Sequence, residues 1–219
     1  MRFERLGSAK KEDSVVTKLY ASVGAVAIAA FFAWTAFQLW SAGRTDPFAS
    51  CRSGTIAGGA IGGPLDLIDE DGAKVTDKEI FAKPTLVYFG YASCADVCPL
   101  DNARNSEVAD LLNAKGIDVT PAFISVDPQR DTPAALKDYT ENFGDKLIGL
   151  TGTADQIKAA AAAFKVYYKV PDNATGSYEV DHTTLTYLMM PKTGFADFFK
   201  RETTSEDMAA KVACFVNGS

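Results

Sequence analysis

Between Lys18 and Arg44 the chain carries no charged side chain, and Leu19 through Gly43 is one uncharged, mostly apolar run. At about 1.5 Å per residue, a helix of that length exceeds the roughly 30 Å hydrocarbon core of a bilayer. Tyr20 and Trp40 sit near its ends, where interfacial aromatics belong; Trp34 lies further in. Arg2, Arg5, Lys10, Lys11 and Lys18 precede the run and only Arg44 follows closely. The positive-inside rule then puts the N-terminus in the cytoplasm and the chain from about residue 45 across the membrane. A cleaved signal peptide is the competing reading, but the run is too long for an h-region and no convincing A-x-A site follows. Phe48-Ala49-Ser50 lies outside the run, so a lipid anchor at Cys51 fits poorly, and Glu4, Glu12 and Asp13 argue against a mitochondrial transit peptide. The expectation is a cytoplasmic tail over 1–18 and a transmembrane helix over 19–43. The chain then sits in a bacterial inner membrane, with its C-terminal part in the periplasm.

Residues 44–64 are rich in Gly, Ala and Ser and read as a tether to a domain over 65–219. Leu65-Asp66-Leu67-Ile68, then Asp71-Gly72, then Lys74-Val75 predicts a β-hairpin with a D-G turn. Pro84 to Tyr91 is an apolar, β-branched and aromatic run, hence a buried strand, and Ile117 to Val126 gives another. Between them Pro99 suits the first turn of a helix whose apolar face continues through Val108, Leu111 and Leu112 to Gly116. Asp131 or Thr132 caps a helix from Pro133 to near Gly144, and Thr153-Ala154-Asp155-Gln156 is a capping box for an Ala-rich helix ending near Phe164. Thr183 to Met190 and Phe195 to Phe199 read as a strand pair across Lys192-Thr193-Gly194, and a last helix runs from Ser205 to about Val216. Strands alternating with helices and closing on a hairpin and a helix describe an α/β thioredoxin-like domain with an added N-terminal β-hairpin. Residues 166–181 are an insertion in that core.

A net charge of −6 excludes nucleic acid as a partner, since phosphate contacts need a basic face. The candidate chemistry lies in Cys94 and Cys98, spaced by four in Ser93-Cys94-Ala95-Asp96-Val97-Cys98-Pro99, and in His182, the one histidine. A cysteine after a buried strand and before a helix meets free N–H groups and the positive helix end, which favour thiolate. Thiolate is both the nucleophile of disulfide exchange and a ligand for Cu(I), and the spacing alone does not decide between them. Cβ atoms at i and i+4 of a regular helix lie about 5–6 Å apart, whereas a disulfide wants about 3.5–4.5 Å; a metal bridging two sulfurs tolerates the wider gap. Two thiols and an imidazole outside the cytoplasm point to copper handling, although the residues by themselves leave His182 open as a ligand. Asp181 beside it orients the ring or caps the loop. Cys51 and Cys214 remain, and an oxidising compartment invites a disulfide between them; the alternatives are two unrelated thiols or pairing of Cys51 between molecules.

Phe89-Gly90-Tyr91, the C-x-x-x-C-P motif from Cys94 to Pro99, Ser125-Val126-Asp127-Pro128 with Arg130-Asp131-Thr132-Pro133, and Asp181-His182 before Tyr187-Leu188 occur in this order. On these motifs the chain, over roughly residues 60–217, resembles the Sco/SenC family of copper-binding thioredoxin-fold proteins. The resemblance implies Cu(I) and Cu(II) binding by Cys94, Cys98 and His182. It also implies a metallochaperone role, delivering copper to the CuA centre in subunit II of cytochrome c oxidase. The alternative it carries is a thiol–disulfide oxidoreductase, with Cys94 and Cys98 catalytic, that reduces the cysteines of that oxidase site; a classical enzyme is not expected. Other periplasmic copper chaperones or thiol reductants are the further partners. Two departures stand out: the family often has Pro-Asp where this chain has Ala95-Asp96, and commonly Ser where it has Thr183. Neither removes a ligand. Asp127 and Arg130 read equally as a charged lip over the site, a partner contact, or an Asp–Arg pair holding a helix-entry loop.

Overall fold

The computed structural model describes residues 23–38 except 25, residues 48, 51 and 52, and residues 60–218 except 173. The chain divides into two compact units, Met1–Asp46 and Pro47–Ser219. In the first, the described residues of 23–38 are helical (α1). The expected span over 19–43 therefore lies partly outside the described residues, and among these no helix is long and apolar enough to cross a membrane.

In the second unit the order is β1 (Asp66–Asp69), β2 (Lys74–Thr76), α2 (Asp77–Ile80), β3 (Thr85–Gly90), α3 (Val97–Asn113), β4 (Thr120–Ser125) and α4 (Pro133–Thr140). A 3-10 turn, Glu141–Phe143, leads to β5 (Ile148–Thr151), α5 (Ala154–Ala163), β6 (Tyr168–Lys169), β7 (Asp181–His182), β8 (Thr186–Met190), β9 (Gly194–Phe199) and α6 (Ser205–Asn217). Seven strands form one sheet in the order β2-β1-β5-β4-β3-β8-β9, and β6 pairs with β7 separately. β3, β4 and β5 are parallel, linked by helical crossovers, while β8 and β9 close the sheet antiparallel. This is the α/β thioredoxin-like arrangement with the expected hairpin at its start. The hairpin turn works because Gly72 adopts φ +82° and Asp69 Oδ1 accepts the N–H groups of Asp71 and Ala73.

β3 is buried along its whole length, and its residues alternate between two apolar layers. Leu86 belongs with Val108 and Leu112 of α3 and Met208, Val212 and Phe215 of α6. Val87 and Phe89 belong with Ile157, Ala160 and Phe164 on the α5 side. Phe48 and Cys51 are buried in the α6 layer, with the Phe48 and Phe215 ring centroids 5.4 Å apart. Cys51 and Cys214 form a disulfide across a sequence separation of 163, with Cα atoms 5.7 Å apart. Caps fix the helix starts: Thr132 and Thr153 each accept the backbone N–H three residues on, and Gln156 returns the bond to complete the box.

The short helix α2, β5 and the β6–β7 ladder lie outside the sequence reading. β5 is short and holds Gly149 at its middle. The β6–β7 ladder joins residues 168–169 to 181–182 within the stretch read as an insertion.

Candidate metal centre

β3 ends at Gly90 in the middle of the sheet, and residues 91–96 turn the chain into α3. The Cys94 N–H donates to the Tyr91 carbonyl at 3.1 Å, which curls the loop tightly. Cys94 therefore lies in the loop and Cys98 in the first turn of α3, so the pair escapes the regular helical i, i+4 separation. The Cys98 backbone N–H has no helical partner and donates to Cys94 Sγ at 3.4 Å. Cys98 itself is fully buried beside Gly90. A Cβ on Gly90 would stand 2.8 Å from Cys98 Sγ, 2.9 Å from the Phe123 ring and 3.1 Å from that of Tyr88. The thiol occupies the space that a side chain in β3 would take.

His182 comes from β7, where it pairs with Tyr168. The Thr183 N–H donates to the Tyr167 carbonyl at 2.9 Å, and the Tyr167 N–H to Thr183 Oγ1 at 3.0 Å, so the strand end is held from both sides. His182 Nδ1 faces the Thr183 carbonyl at 3.1 Å. A carbonyl only accepts, so Nδ1 carries the proton and Nε2 presents its lone pair. Nε2 lies 3.4 Å from Cys98 Sγ. The ligand atoms of Cys94, Cys98 and His182 all lie within 4.8 Å of one another, the one such group among the described residues. Tyr88 and Tyr91 meet the imidazole edge-on, at centroid distances of 6.1 and 5.8 Å.

The two thiols differ electrostatically. Burial pushes the Cys94 thiol up, but N–H groups of Cys98, Asp96 and Val97 and the Cys98 side chain outweigh it, and its pKa falls below 9.0. Cys98 is raised well above the ordinary range, first by burial. Burial likewise lowers His182 below 6.5, against the opposing pull of backbone bonds to Thr183 and Phe89, so the imidazole is neutral near pH 7. Burial also drives Tyr91 up to about 12. Two sulfurs and a neutral imidazole nitrogen, with an anionic sulfur already favoured at Cys94, suit a soft monovalent ion such as Cu(I); the nitrogen also admits Cu(II).

Asp101, one turn beyond Cys98 on the same buried face of α3, is a neighbour the sequence reading did not single out. Its carboxylate pairs with Arg104 at 3.2 Å and Arg201 at 3.3 Å, and its burial raises its pKa. The i, i+3 spacing from Cys98 is the signal that points to it. Asp127 and Arg130 form an ion pair at the entry to α4. Next to them Asp131 Oδ2 accepts the Ala92 N–H at 2.9 Å and the Ser125 hydroxyl at 2.6 Å, tying that loop to the one bearing Cys94.

The family model described as SCO1/SenC matches residues 53–217. The chain belongs to the SCO1/SenC family. It is 52% identical to Protein SenC of Rhodobacter capsulatus over 175 residues, covering 80% of this chain and 79% of that protein. Among solved structures, it is similar to copper-bound ScoI of Bradyrhizobium japonicum, with a TM-score of 0.64 and 43% identity, covering 70% of this chain and 98% of that one. BsSco, described as having a disulfide switch and as a member of the Sco family of cytochrome c oxidase assembly proteins, aligns with a TM-score of 0.58 and 26% identity. That alignment covers 71% of this chain and 92% of the other.

Proposed function

We propose that this protein is a membrane-anchored copper metallochaperone that holds Cu(I) or Cu(II) through Cys94, Cys98 and His182 and assists assembly of the CuA centre in cytochrome c oxidase subunit II. The observation that carries the reading is the convergence of two sulfurs and one imidazole nitrogen within 4.8 Å. The copper-bound ScoI relative and the oxidase-assembly role described for BsSco support it. Copper bound here is cargo. The chain's own residues provide an acidified thiol at Cys94, a buried thiol at Cys98 that loses its proton on binding, and an Nε2 lone pair fixed by the Thr183 carbonyl. A site of only three ligands leaves room for a receiver's thiol to enter before one of its own departs. The uncharged run over 19–43 and the positive-inside bias support a single anchor in the bacterial inner membrane, with the metal centre in the periplasm.

A second reading, reduction of the receiver's disulfide, is favoured by the unequal thiols. Cys94 is the more ionised sulfur and attacks; Cys98, brought close by the loop, resolves the mixed disulfide and leaves Cys94 and Cys98 oxidised to a disulfide, with the receiver's two thiols reduced. The deciding experiment titrates the reduced full-length protein in detergent with copper under anaerobic conditions against a competing chelator, beside His182→Ala. One copper per chain, weakened by the substitution by about 10- to 100-fold, especially as Cu(II), with disulfide reduction preserved, supports the chaperone. Binding indifferent to His182, or no competitive binding, leaves the dithiol reductase.

A further inference from the structure

The elements carrying the metal ligands belong to two parts of the fold: Cys94 and Cys98 to the β3–α3 junction, His182 to the segment after α5. The Arg130 guanidinium contacts both parts. Arg130 donates through Nε to Asp127 and through a terminal N–H to the Tyr178 carbonyl at 2.9 Å. Its carbon lies 3.5 Å from the centroid of the Tyr178 ring and 5.5 Å from that of Tyr91. The Tyr178 hydroxyl donates to the other Asp127 oxygen at 2.9 Å, so Asp127, Arg130 and Tyr178 close a ring of contacts. Tyr178 is four residues before His182, and Tyr91 is three before Cys94. Tyr91 also meets the His182 imidazole edge-on.

We infer that Arg130 is a positioning residue for the metal centre: the Asp127–Arg130–Tyr178 clamp holds the His182 segment against the cysteine loop and thereby sets the reach of Nε2 toward the two sulfurs. Only a planar, delocalised cation can lie on the Tyr178 ring, donate to that residue's carbonyl and pair with Asp127 at the same time. A plain Asp–Arg helix-entry pair needs neither the ring nor the carbonyl of Tyr178. The inference rests on the three-ligand reading above.

The test uses full-length protein in detergent, wild type beside Arg130→Met and Arg130→Lys, and reads His182 directly. As the chain holds one histidine, its ring carbon-bound protons give an unambiguous NMR signal in metal-free and copper(I)-loaded protein. In wild type we expect one sharp signal for each of the two ring carbon-bound protons, both shifting on adding Cu(I). In Arg130→Met, with an unchanged melting temperature, the metal-free signal broadens or splits, and copper(I) retention against a chelator falls by about 5- to 20-fold, the worth of one stacked, charge-assisted contact. Arg130→Lys falls between. A His182 signal in Arg130→Met as sharp and as placed as in wild type, with equal retention, overturns the inference while leaving the three-ligand site standing. A wild-type signal that ignores copper overturns both. If Arg130→Met does not fold, Tyr178→Ala is judged by the same criteria.

Discussion

The disulfide between Cys51 and Cys214 allows a sharp test, because its loop encloses nearly the whole second unit. The perturbation is its reduction in a Cys94→Ser/Cys98→Ser background, so that one dithiol alone responds. With a separation of 163 residues, loop-closure entropy denied to the unfolded chain amounts to about 5 kcal/mol at 25 °C. A domain of this size loses roughly 2–4 °C of melting temperature per kcal/mol, so the reduced form should melt about 10–20 °C lower. Calorimetry of oxidised and reduced samples, with the double Cys51→Ala/Cys214→Ala variant as a reagent-free control, measures the difference. The control removes some packing beside Phe48 and Phe215 and should fall at least as far. A drop under about 3 °C in both would refute the reasoning, because it would mean that the unfolded chain does not gain the freedom assigned to it.

Two further outcomes follow from the centre itself. Thiolate absorbance near 240 nm in the metal-free Cys51→Ala/Cys214→Ala protein, with Cys94 and Cys98 reduced, should rise first with a midpoint below pH 9.0, from Cys94, and again only far above it, from Cys98. The linked stability has a fixed sign: the depressed Cys94 pKa stabilises the fold fully above pH 9.0, and that gain is lost as pH falls through the folded value. A single rise at or above pH 9.0 contradicts this. Gly90→Ala, whose Cβ would meet Cys98 Sγ at 2.8 Å within a strand that cannot move away, should cost about 1–3 kcal/mol in denaturant unfolding and weaken copper retention. Wild-type stability and retention together would refute the seat described for Cys98.

The parts of this fold that were legible in the sequence are those governed by local rules. The D-G turn, the Thr153 capping box and the apolar run of β3 each declare themselves within a few residues, and they place Cys94 and Cys98 at a strand–helix junction. β5 does not declare itself, because Ile148-Gly149-Leu150-Thr151 has no alternation to read. Gly149 is there for a tertiary reason: a Cβ would come within 3.0 Å of Glu70 and Leu136. The β6–β7 ladder is two residues deep and closes over a loop that no propensity marks. His182 was visible as a residue type, but its approach to the sulfurs depends on that ladder, and the motifs shared with the family supplied the assignment that local pattern could not. Asp127 and Arg130 were recognisable as a pair; the Tyr178 face that gives the pair its further contacts lies 48 residues beyond Arg130. Asp101 was hidden because α3 buries polar side chains in its first turns, against the usual expectation that a core-facing stripe is apolar.

The hydrogen bond from the Cys98 peptide nitrogen to the Cys94 sulfur makes the two ligand positions unequally replaceable. What lowers Cys94 comes largely from main-chain donors, which any residue but proline carries, so that part of its activation survives a change at position 98, while the part supplied by the Cys98 side chain does not. Exchanging Cys98 for a hydroxyl would alter the set of donor atoms while keeping a side-chain donor toward Cys94; a thioether would withdraw that donor and leave the main-chain ones. The reverse exchange, at position 94, would remove the ionised sulfur and leave its donors facing nothing. For anyone retuning this centre to another metal or another redox poise, residue 98 is the adjustable position and residue 94 the fixed one.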